Sequence, residues 1–208
     1  MKIRTLFNNT LSRFNLIESS KEKYLRRFKT VIKKVSKQEM FTALGYMKAN
    51  TFDWYQEYNS TEYPEQHSQR QHSFMSVYKE IEKIYQDTSK ENLTRHHLYF
   101  VCSVQNIPIG IMIFSPASVD QGADTIGYLL THPGNHGCGS LLVEKAVELS
   151  SEGEIWVKAK PYSIPFYKNL GFEQYGFNDF ELTSMRLVFS DSEKWVYINN
   201  KFRLKKYI

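Results

Sequence analysis

The sequence of 208 residues contains few cysteines and no long apolar segment. Its two cysteines, Cys102 and Cys138, are too few for a disulfide framework or a cysteine-based metal set. No apolar run approaches the roughly 18 residues that a membrane-spanning helix needs. The basic N-terminus alternates polar and apolar residues, unlike a secretory signal. These absences predict a soluble protein of a reducing compartment, expected in the cytoplasm, although export by a route without such a signal stays open.

Low-complexity tracts and internal repeats are also lacking, whereas aromatic residues are abundant, with 14 Tyr and 14 Phe. This composition predicts a folded chain, because aromatic side chains supply the apolar area that a core requires. The length suits one domain with short appendages.

The net charge of +5 is unevenly distributed. Residues 1–34 carry ten Lys and Arg against Glu18 and Glu22, and residues 194–208 carry five basic residues and no acid. Since these ends contribute +8 and +5, the body between them carries −8. An acidic body favours a cationic substrate through long-range steering. The alternative is that this charge only keeps the protein solvated.

The order of the predicted strands and helices implies a mixed sheet with helices on its faces. Ser36 and Glu39 form a capping-box pattern at the start of a helix. The expected strands are 24–35, 98–104, 109–114, 124–131, 155–157, 182–189 and 195–198; the expected helices are 36–47, 69–86, 139–149 and 165–170, with an amphipathic segment at 1–22 and irregular chain at 51–66.

The segment 128–142, YLLTHPGNHGCGSLL, places a glycine-rich loop between a strand and a helix. Glycine lets the backbone approach a phosphate closely, and the first turn of a helix offers free N–H groups. The spacing matches neither a dinucleotide fingerprint nor a Walker loop. A phosphate-binding loop is therefore predicted, with a plain strand-to-helix turn as the alternative.

A second motif follows this loop at residues 157–172, VKAKPYSIPFYKNLGF. Together and in this order, the two segments resemble motifs A and B of the GNAT (GCN5-related N-acetyltransferase) superfamily. Motif B ends in Phe-Tyr-x-x-x-Gly-Phe, present here as Phe166-Tyr167 and Gly171-Phe172. The resemblance implies an α+β fold, with a central mixed, mostly antiparallel sheet flanked by helices. It places a GNAT domain at 28–193, between a basic N-terminal extension at 1–27 and a basic C-terminal strand or tail at 194–208.

The resemblance further implies an N-acetyltransferase that uses acetyl-CoA as co-substrate and needs no metal. Tyr167 would be the general acid that protonates the leaving thiolate. The residues expected to bind acetyl-CoA, through the backbone of the strand and the amides and side chains of the loop, are Leu129, Leu130, Thr131, Gly134, His136, Gly137, Cys138, Gly139 and Ser140. The loop departs from the family in Gly134, where Gln or Arg is usual, and His136 is a compensating donor in this interpretation.

The general base is the least defined part of this interpretation. Relatives carry a carboxylate in this strand at positions that correspond to Thr125 and Gly127. Asp124 is the candidate base, although it is one residue out of phase unless a bulge intervenes. The fallback candidates are His132, His96 and His97. The Cys138 thiol, at a helix N-terminus, is expected to have a lowered pKa, yet a structural role is preferred over an acyl-cysteine intermediate.

The expected partner is an amine acceptor, either a small molecule or a protein, whose identity the sequence leaves open. Nucleic acid is not expected as a partner, and the chain is expected to be a monomer or a homodimer. The alternative is a GNAT-fold binding module without turnover, whose basic ends contact nucleic acid or an anionic surface.

Overall fold

The computed structural model describes residues 29–58, 64–86, 96–118, 122–133, 137–176 and 181–208. The N-terminal segment 1–27 lies outside this part, so the predicted extension stays a prediction. The elements in chain order are β1 Thr30–Val35, α1 Lys37–Tyr58, α2 Pro64–Gln86, β2 Leu98–Val104, β3 Ile107–Ser115, β4 Thr125–Thr131, α3 Cys138–Leu149, β5 Glu154–Ala159, α4 Ile164–Asn169, β6 Glu173–Gln174, β7 Thr183–Val188, β8 Trp195–Ile198 and β9 Lys201–Leu204.

The main sheet has seven strands in the order β1-β2-β3-β4-β5-β7-β6. All neighbours pair antiparallel except β4 and β5, which are parallel and are connected by α3. The predicted α+β class with a mostly antiparallel mixed sheet is therefore confirmed.

Each face of the sheet has its own core. On one face, Met40 and Leu44 of α1 and Phe74 of α2 pack against the middle strands. On the other face, Leu142 of α3 lies in a second cluster with residues of β5 and β7. The sheet is thus covered on both sides, as the burial of β3 from Ile109 to Ser115 requires.

Local sequence signals account for several element boundaries. At the start of α1, the Ser36 amide donates to Glu39 Oε2 at 2.8 Å and the Glu39 amide donates to Ser36 Oγ at 3.2 Å, which confirms the capping box. The β2–β3 hairpin turns through Gln105 and Asn106, both with positive φ, as a two-residue hairpin loop requires.

The helix α1 is longer than predicted, because it continues from Met47 to Tyr58, and α2 begins at Pro64. The expectation of irregular chain at 51–66 is wrong over most of that range. Polar residues are accommodated in this continuation because their side chains bond back to the helix carbonyls: Asn50 Nδ2 donates to Tyr46 O at 2.7 Å, and Thr51 Oγ1 donates to Lys48 O at 2.7 Å.

The strands β8 and β9 form a separate antiparallel hairpin with a two-residue turn, Asn199-Asn200. The hairpin belongs to the same body, since Trp195 and Leu204 are buried in the core that contains α3. The strand β9 lies beyond the last predicted strand. In the part of the chain that the structure describes, no helix is long and apolar enough to cross a bilayer.

The close contact between β3 and the first turn of α3 gives a stability prediction. A Cβ added at Gly110 would overlap with Cys138 Sγ and lie 3.1 Å from Leu142 Cδ1. We expect Gly110→Ala to lower the free energy of unfolding by about 1–3 kcal/mol, measured by urea denaturation. Adding Cys138→Ala should restore part of the loss, because it removes the overlapping sulfur.

Gly45 provides the matched control, since nothing lies within 4 Å of a Cβ added there. Gly45→Ala should stabilise α1 by about 0.5–1 kcal/mol. The packing argument fails if Gly110→Ala and Cys138→Ala destabilise additively in the double variant.

Candidate acyl-CoA site

The two parallel strands separate soon after they meet. β4 and β5 pair only at Thr125–Trp156 and Ile126–Val157, although β4 continues to Thr131 and β5 to Ala159. Beyond these pairs, one edge of β4 no longer bonds to β5. A gap therefore opens between the carboxyl ends of the two strands.

The backbone of β4 at this gap has a defined direction. The His132 amide donates to Ile109 O of β3 at 2.9 Å. Because alternate residues of an antiparallel pair bond to the partner strand, Leu130 faces β3, whereas the backbone groups of Leu129 and Thr131 point away from it, toward the gap. Of the three strand residues predicted to bind acyl-CoA, these two have the direction that an added extended chain requires.

A bulge in β4 precedes the gap. Ile113 pairs with Tyr128 and Phe114 pairs with Ile126, which leaves Gly127 as the extra residue. The bulge reverses the side-chain phase: Ile126 lies in the core that contains α3, and Leu130 lies in the core that contains α1 and α2.

The first turn of α3 lies at the same end of β4. Gly137, with φ of 90°, precedes the helix, which begins at Cys138. A Cβ at Gly139 would lie 3.0 Å from Phe166 Cζ, so this glycine lets α3 approach α4 closely. The first N–H groups of the helix have no intrahelical partners and favour an anion. Gly134 and His136 lie outside the described residues, so their binding roles stay predictions.

The Cys138 side chain points into the core and not toward the loop. Burial raises the pKa of the Cys138 thiol, and the neighbouring Cys102 raises it further. The expectation of a lowered pKa at this helix N-terminus is therefore wrong, because desolvation outweighs the helix dipole. The preferred structural role of the cysteine agrees with this geometry.

Tyr167 lies on α4 and is 7% exposed. Its ring makes edge contacts with Phe166 and Phe172, at centroid distances of 5.1 and 5.2 Å. Burial raises the pKa of Tyr167 above its usual value, and the adjacent Tyr162 adds to the shift. The phenol therefore stays protonated at neutral pH and can donate a hydrogen bond.

The end of α4 shows why the motif B residues have this spacing. The Gly171 amide donates to Lys168 O at 3.0 Å, and the Phe172 amide donates to Tyr167 O at 3.1 Å. These two bonds form a Schellman motif, and Gly171 takes the left-handed conformation with φ of 91°. The motif fixes Phe172 against the Tyr167 ring.

A polar group that sequence reasoning missed lies beside the gap. Lys160, directly after β5, donates from Nζ to Ser76 Oγ of α2 at 2.7 Å and forms an ion pair with Glu80 of the same helix. Burial lowers the pKa of Lys160, but the bond and charge of Glu80 outweigh burial and the net shift is upward. Only the spacing of Ser76 and Glu80 on one helical face is visible in the sequence, since Lys160 is 80 residues from Glu80.

Two tyrosines, Tyr128 and Tyr162, interact with this charged pair, and Tyr162 also interacts with Tyr167. Burial raises the pKa of Tyr128, on β4, and the charges of Glu80 and Lys160 act on it in opposite directions. Burial likewise raises the pKa of Tyr162, which interacts electrostatically with both Lys160 and Tyr167. The Tyr162 phenol therefore lies between the buried Tyr167 and the Lys160–Glu80 pair.

Asp124 lies at the other end of β4. Its carboxylate is 1% exposed and accepts hydrogen bonds from the amides of Ala117 at 2.8 Å and Ser151 at 3.0 Å. The 12 residues of α3 run back along the sheet over about 18 Å, so Asp124 and the first turn of α3 are at opposite ends of this helix. The geometry favours a structural role for Asp124, which joins two connections, over the predicted role as base.

Two histidine candidates for the general base are also disfavoured, His97 by its position and His132 by its pKa. His97 Nδ1 lies 2.8 Å from Ser115 Oγ, at the end of the sheet where β4 begins. His132 is buried at the end of β4 on the side of α1, where burial lowers its pKa to about 4 despite a hydrogen bond to the Asn50 carbonyl. An imidazole with this pKa is a weak proton acceptor.

Solved structures share this architecture. An acetyltransferase from Thermus thermophilus aligns with a TM-score of 0.50 and 13% identity over 76% of this chain and 96% of its own. A proposed GNAT-family acetyltransferase from Desulfovibrio desulfuricans aligns with a TM-score of 0.50 and 12% identity over 76% and 98%. The PaiA N-acetyltransferase from Thermoplasma acidophilum, solved with coenzyme A, aligns with a TM-score of 0.49 and 17% identity over 76% and 97%.

No family model and no curated protein matches the sequence. The class is that of α+β proteins in which a parallel strand pair opens within an otherwise antiparallel sheet. Within that class, this chain has the GNAT fold, which the resemblance of residues 128–142 and 157–172 to motifs A and B predicted.

The buried His132 gives a prediction of pH dependence. Its pKa is about 4 in the folded protein and about 6.5 in an unfolded chain. Because the unfolded state binds the proton first, stability should decrease as the pH falls from about 6.5 to 4, by up to about 3 kcal/mol. His132→Gln should flatten this part of the profile, measured by urea denaturation between pH 7 and 4.

The exposed His96 provides the control, since His96→Gln should leave the pH profile unchanged. An equally steep profile in His132→Gln would mean that other groups cause the acid sensitivity.

Proposed function

We propose that the protein is an N-acetyltransferase that transfers an acetyl group from acetyl-CoA to a primary amine. The observation that carries the proposal is the separation of β4 from β5 after two residue pairs. An extended acyl-pantetheine arm can bond to the backbone of Leu129 and Thr131 in this gap, as an added strand does. Proteins with this fold that align at a TM-score of 0.50 bear the name acetyltransferase, which agrees with the proposal.

The phosphate end of acetyl-CoA would then lie at the first turn of α3. The amides of Cys138, Gly139 and Ser140 offer hydrogen-bond donors there, and the positive end of the helix dipole favours the pyrophosphate. Gly139 lets α3 lie against Phe166, so α4, which carries Tyr167, lies beside the same turn of the helix.

The reaction needs one proton to leave and one to arrive. The amine nitrogen attacks the thioester carbonyl carbon, the C–S bond breaks, the nitrogen gives a proton to a base or to water, and the sulfur leaves as a thiolate that takes up a proton. A phenol has a pKa near 10 and a thiol near 8.5, and burial raises the pKa of Tyr167 further. We therefore infer that Tyr167 first stabilises the thiolate as a hydrogen-bond donor. Tyr167 then transfers its proton to the thiolate to the extent that burial also raises the pKa of the coenzyme A thiol.

The acceptor amine would approach from the side of α1 and α2. Glu80 offers a carboxylate there, with a side chain 39% exposed and paired to Lys160. An ammonium group on the acceptor can replace Lys160 as the partner of Glu80, which holds the acceptor beside Tyr128. The negative charge of the body, −8 over residues 35–193, favours the same class of cationic acceptor.

Tyr167→Phe tests the chemistry. We expect kcat to fall about 10²- to 10⁴-fold, because the hydroxyl that stabilises the thiolate is lost, whereas the affinity for acetyl-CoA should stay within about twofold of the native value, since the ring packing is kept. Thiol release with a panel of small amines and peptides measures the first quantity, and calorimetry measures the second.

Tyr197→Phe is the matched control, because Tyr197 lies on β8 and is 59% exposed. If the native protein binds no acetyl-CoA and releases no thiol with any amine, the proposal fails. If Tyr167→Phe leaves a measurable biological activity intact while replacement of the basic ends removes it, the binding-module alternative is correct.

The charged pair on the acceptor side gives effects of opposite sign. Glu80→Gln should raise KM for a cationic amine about fivefold, as expected for a partly exposed ion pair of about 1 kcal/mol. Lys160→Met should lower the same KM, because it removes the competing cation. Steady-state kinetics at saturating acetyl-CoA measure both.

Glu173→Gln is the control, since Glu173 lies on β6 at the far edge of the sheet. An increase in KM of similar size in both Glu80→Gln and Lys160→Met would instead indicate that the pair only holds α2 against β5.

A further inference from the structure

The basic C-terminal segment is held firmly against α3. The buried carboxylate of Glu144 accepts a hydrogen bond from the Leu204 amide at 2.9 Å. Glu148 pairs with Arg203 at 2.8 Å and with Lys201 at 3.4 Å. The segment therefore has a fixed path, and two of its cations are neutralised by α3.

The path ends at the phosphate-binding end of that helix. Tyr207 OH donates to Ser140 Oγ at 3.2 Å, and Ser140 belongs to the first turn of α3. Lys205 and Lys206 directly precede Tyr207, and two residues span at most about 7 Å. The Tyr207 side chain therefore links the segment that carries these lysines to the helix turn whose amides are proposed to hold the pyrophosphate.

A basic cavity lies between this segment and the end of α4. It has a volume of about 180 Å³ and is lined by Asn169, Lys194, Leu204, Lys205 and Lys206. The Lys194 ammonium donates to the Lys168 carbonyl at 2.9 Å, and the Lys205 amide donates to the Lys194 carbonyl at 2.9 Å, which brings the lysines together. In the described part of the chain, no carboxylate lies within 4 Å of the ammonium groups of these three lysines.

The lysines line the cavity mainly with their carbon stems, and the lysine and asparagine side chains that border it offer an anion only N–H donors, apart from one amide oxygen. The volume is below the 300–1,000 Å³ or so of pockets that enclose whole drug-sized ligands, so it suits one phosphate group and not an entire nucleotide. The unpaired lysines also replace the cationic side chain that the glycine loop lacks at Gly134.

We propose that Lys194, Lys205 and Lys206 bind the 3′-phosphate of the adenosine end of acyl-CoA. This inference rests on the proposed function. The pyrophosphate lies at the first turn of α3, and the second phosphate of the same ligand enters the cavity on the other side of Tyr207. The C-terminal segment, which lies outside the motif regions, thereby completes the nucleotide site.

The test compares coenzyme A with dephospho-coenzyme A, which lacks only the 3′-phosphate. By calorimetry, the native protein should bind coenzyme A more tightly. The double variant Lys205→Ala/Lys206→Ala should weaken binding of coenzyme A about tenfold to a hundredfold, as expected for charge-assisted bonds. Binding of dephospho-coenzyme A should change less than about twofold, since the contacted group is absent.

The double variant Lys33→Ala/Lys34→Ala is the matched control, because it removes the same charge from β1 at the opposite edge of the sheet. It should bind both ligands as the native protein does. Tyr207→Phe should weaken coenzyme A binding by a smaller factor, since it releases the segment from Ser140.

Three outcomes overturn the inference. The first is that the Lys205/Lys206 variant binds both ligands more weakly by the same factor. The second is that the β1 control variant weakens coenzyme A binding as much as the Lys205/Lys206 variant does. The third is that the Lys205/Lys206 variant loses oligonucleotide binding while its affinity for coenzyme A is unchanged. If the native protein binds neither ligand, the proposed function fails; if it binds coenzyme A with unchanged affinity in the Lys205/Lys206 variant, only this inference fails.

Discussion

The strands β4 and β5 share two residue pairs before they separate, and the geometry of the candidate site depends on this separation. Buried backbone N–H and C=O groups need partners, so a strand edge that leaves its neighbour favours an extended ligand that completes the pairing. The bulge at Gly127 sets which groups are presented, because it shifts the phase of β4 before the gap. The first turn of α3 then lies where a chain running along Leu129 and Thr131 would place its phosphates.

Burial divides the site into a neutral side and a charged side. Desolvation disfavours the charged form of each buried group, and it therefore raises the pKa values of Tyr167 and Cys138 and lowers that of His132. Near α2, Glu80 keeps Lys160 charged by pairing with it. A thioester would be accommodated among neutral groups, and a cationic acceptor would meet a carboxylate at the boundary.

The C-terminal segment shows how the uneven charge of the chain is arranged in space. Glu144 and Glu148 of α3 bind the β9 backbone and its cations, so carboxylates of the acidic part of the chain fix the basic C-terminal segment in place. Tyr207 then ties the last residues to Ser140. Lys194, Lys205 and Lys206, which pair with no carboxylate in the described part of the chain, border the cavity beside α4.

Features that depend on neighbouring residues were predictable from the sequence. Ser36 and Glu39 start α1, Gly171 ends α4, and motifs A and B predicted the strand and helix of the GNAT fold, because capping bonds, positive φ and periodicity act over a few residues. Tertiary structure decided the rest. The pKa of the Cys138 thiol is set by burial beside Cys102 and not by the helix N-terminus. The Asp124 carboxylate accepts hydrogen bonds from amides of two connections that are distant in the sequence. Glu80 pairs with Lys160 only when α2 packs across the sheet. Desolvation and long-range contacts exist only in the packed chain, so local sequence alone does not determine them.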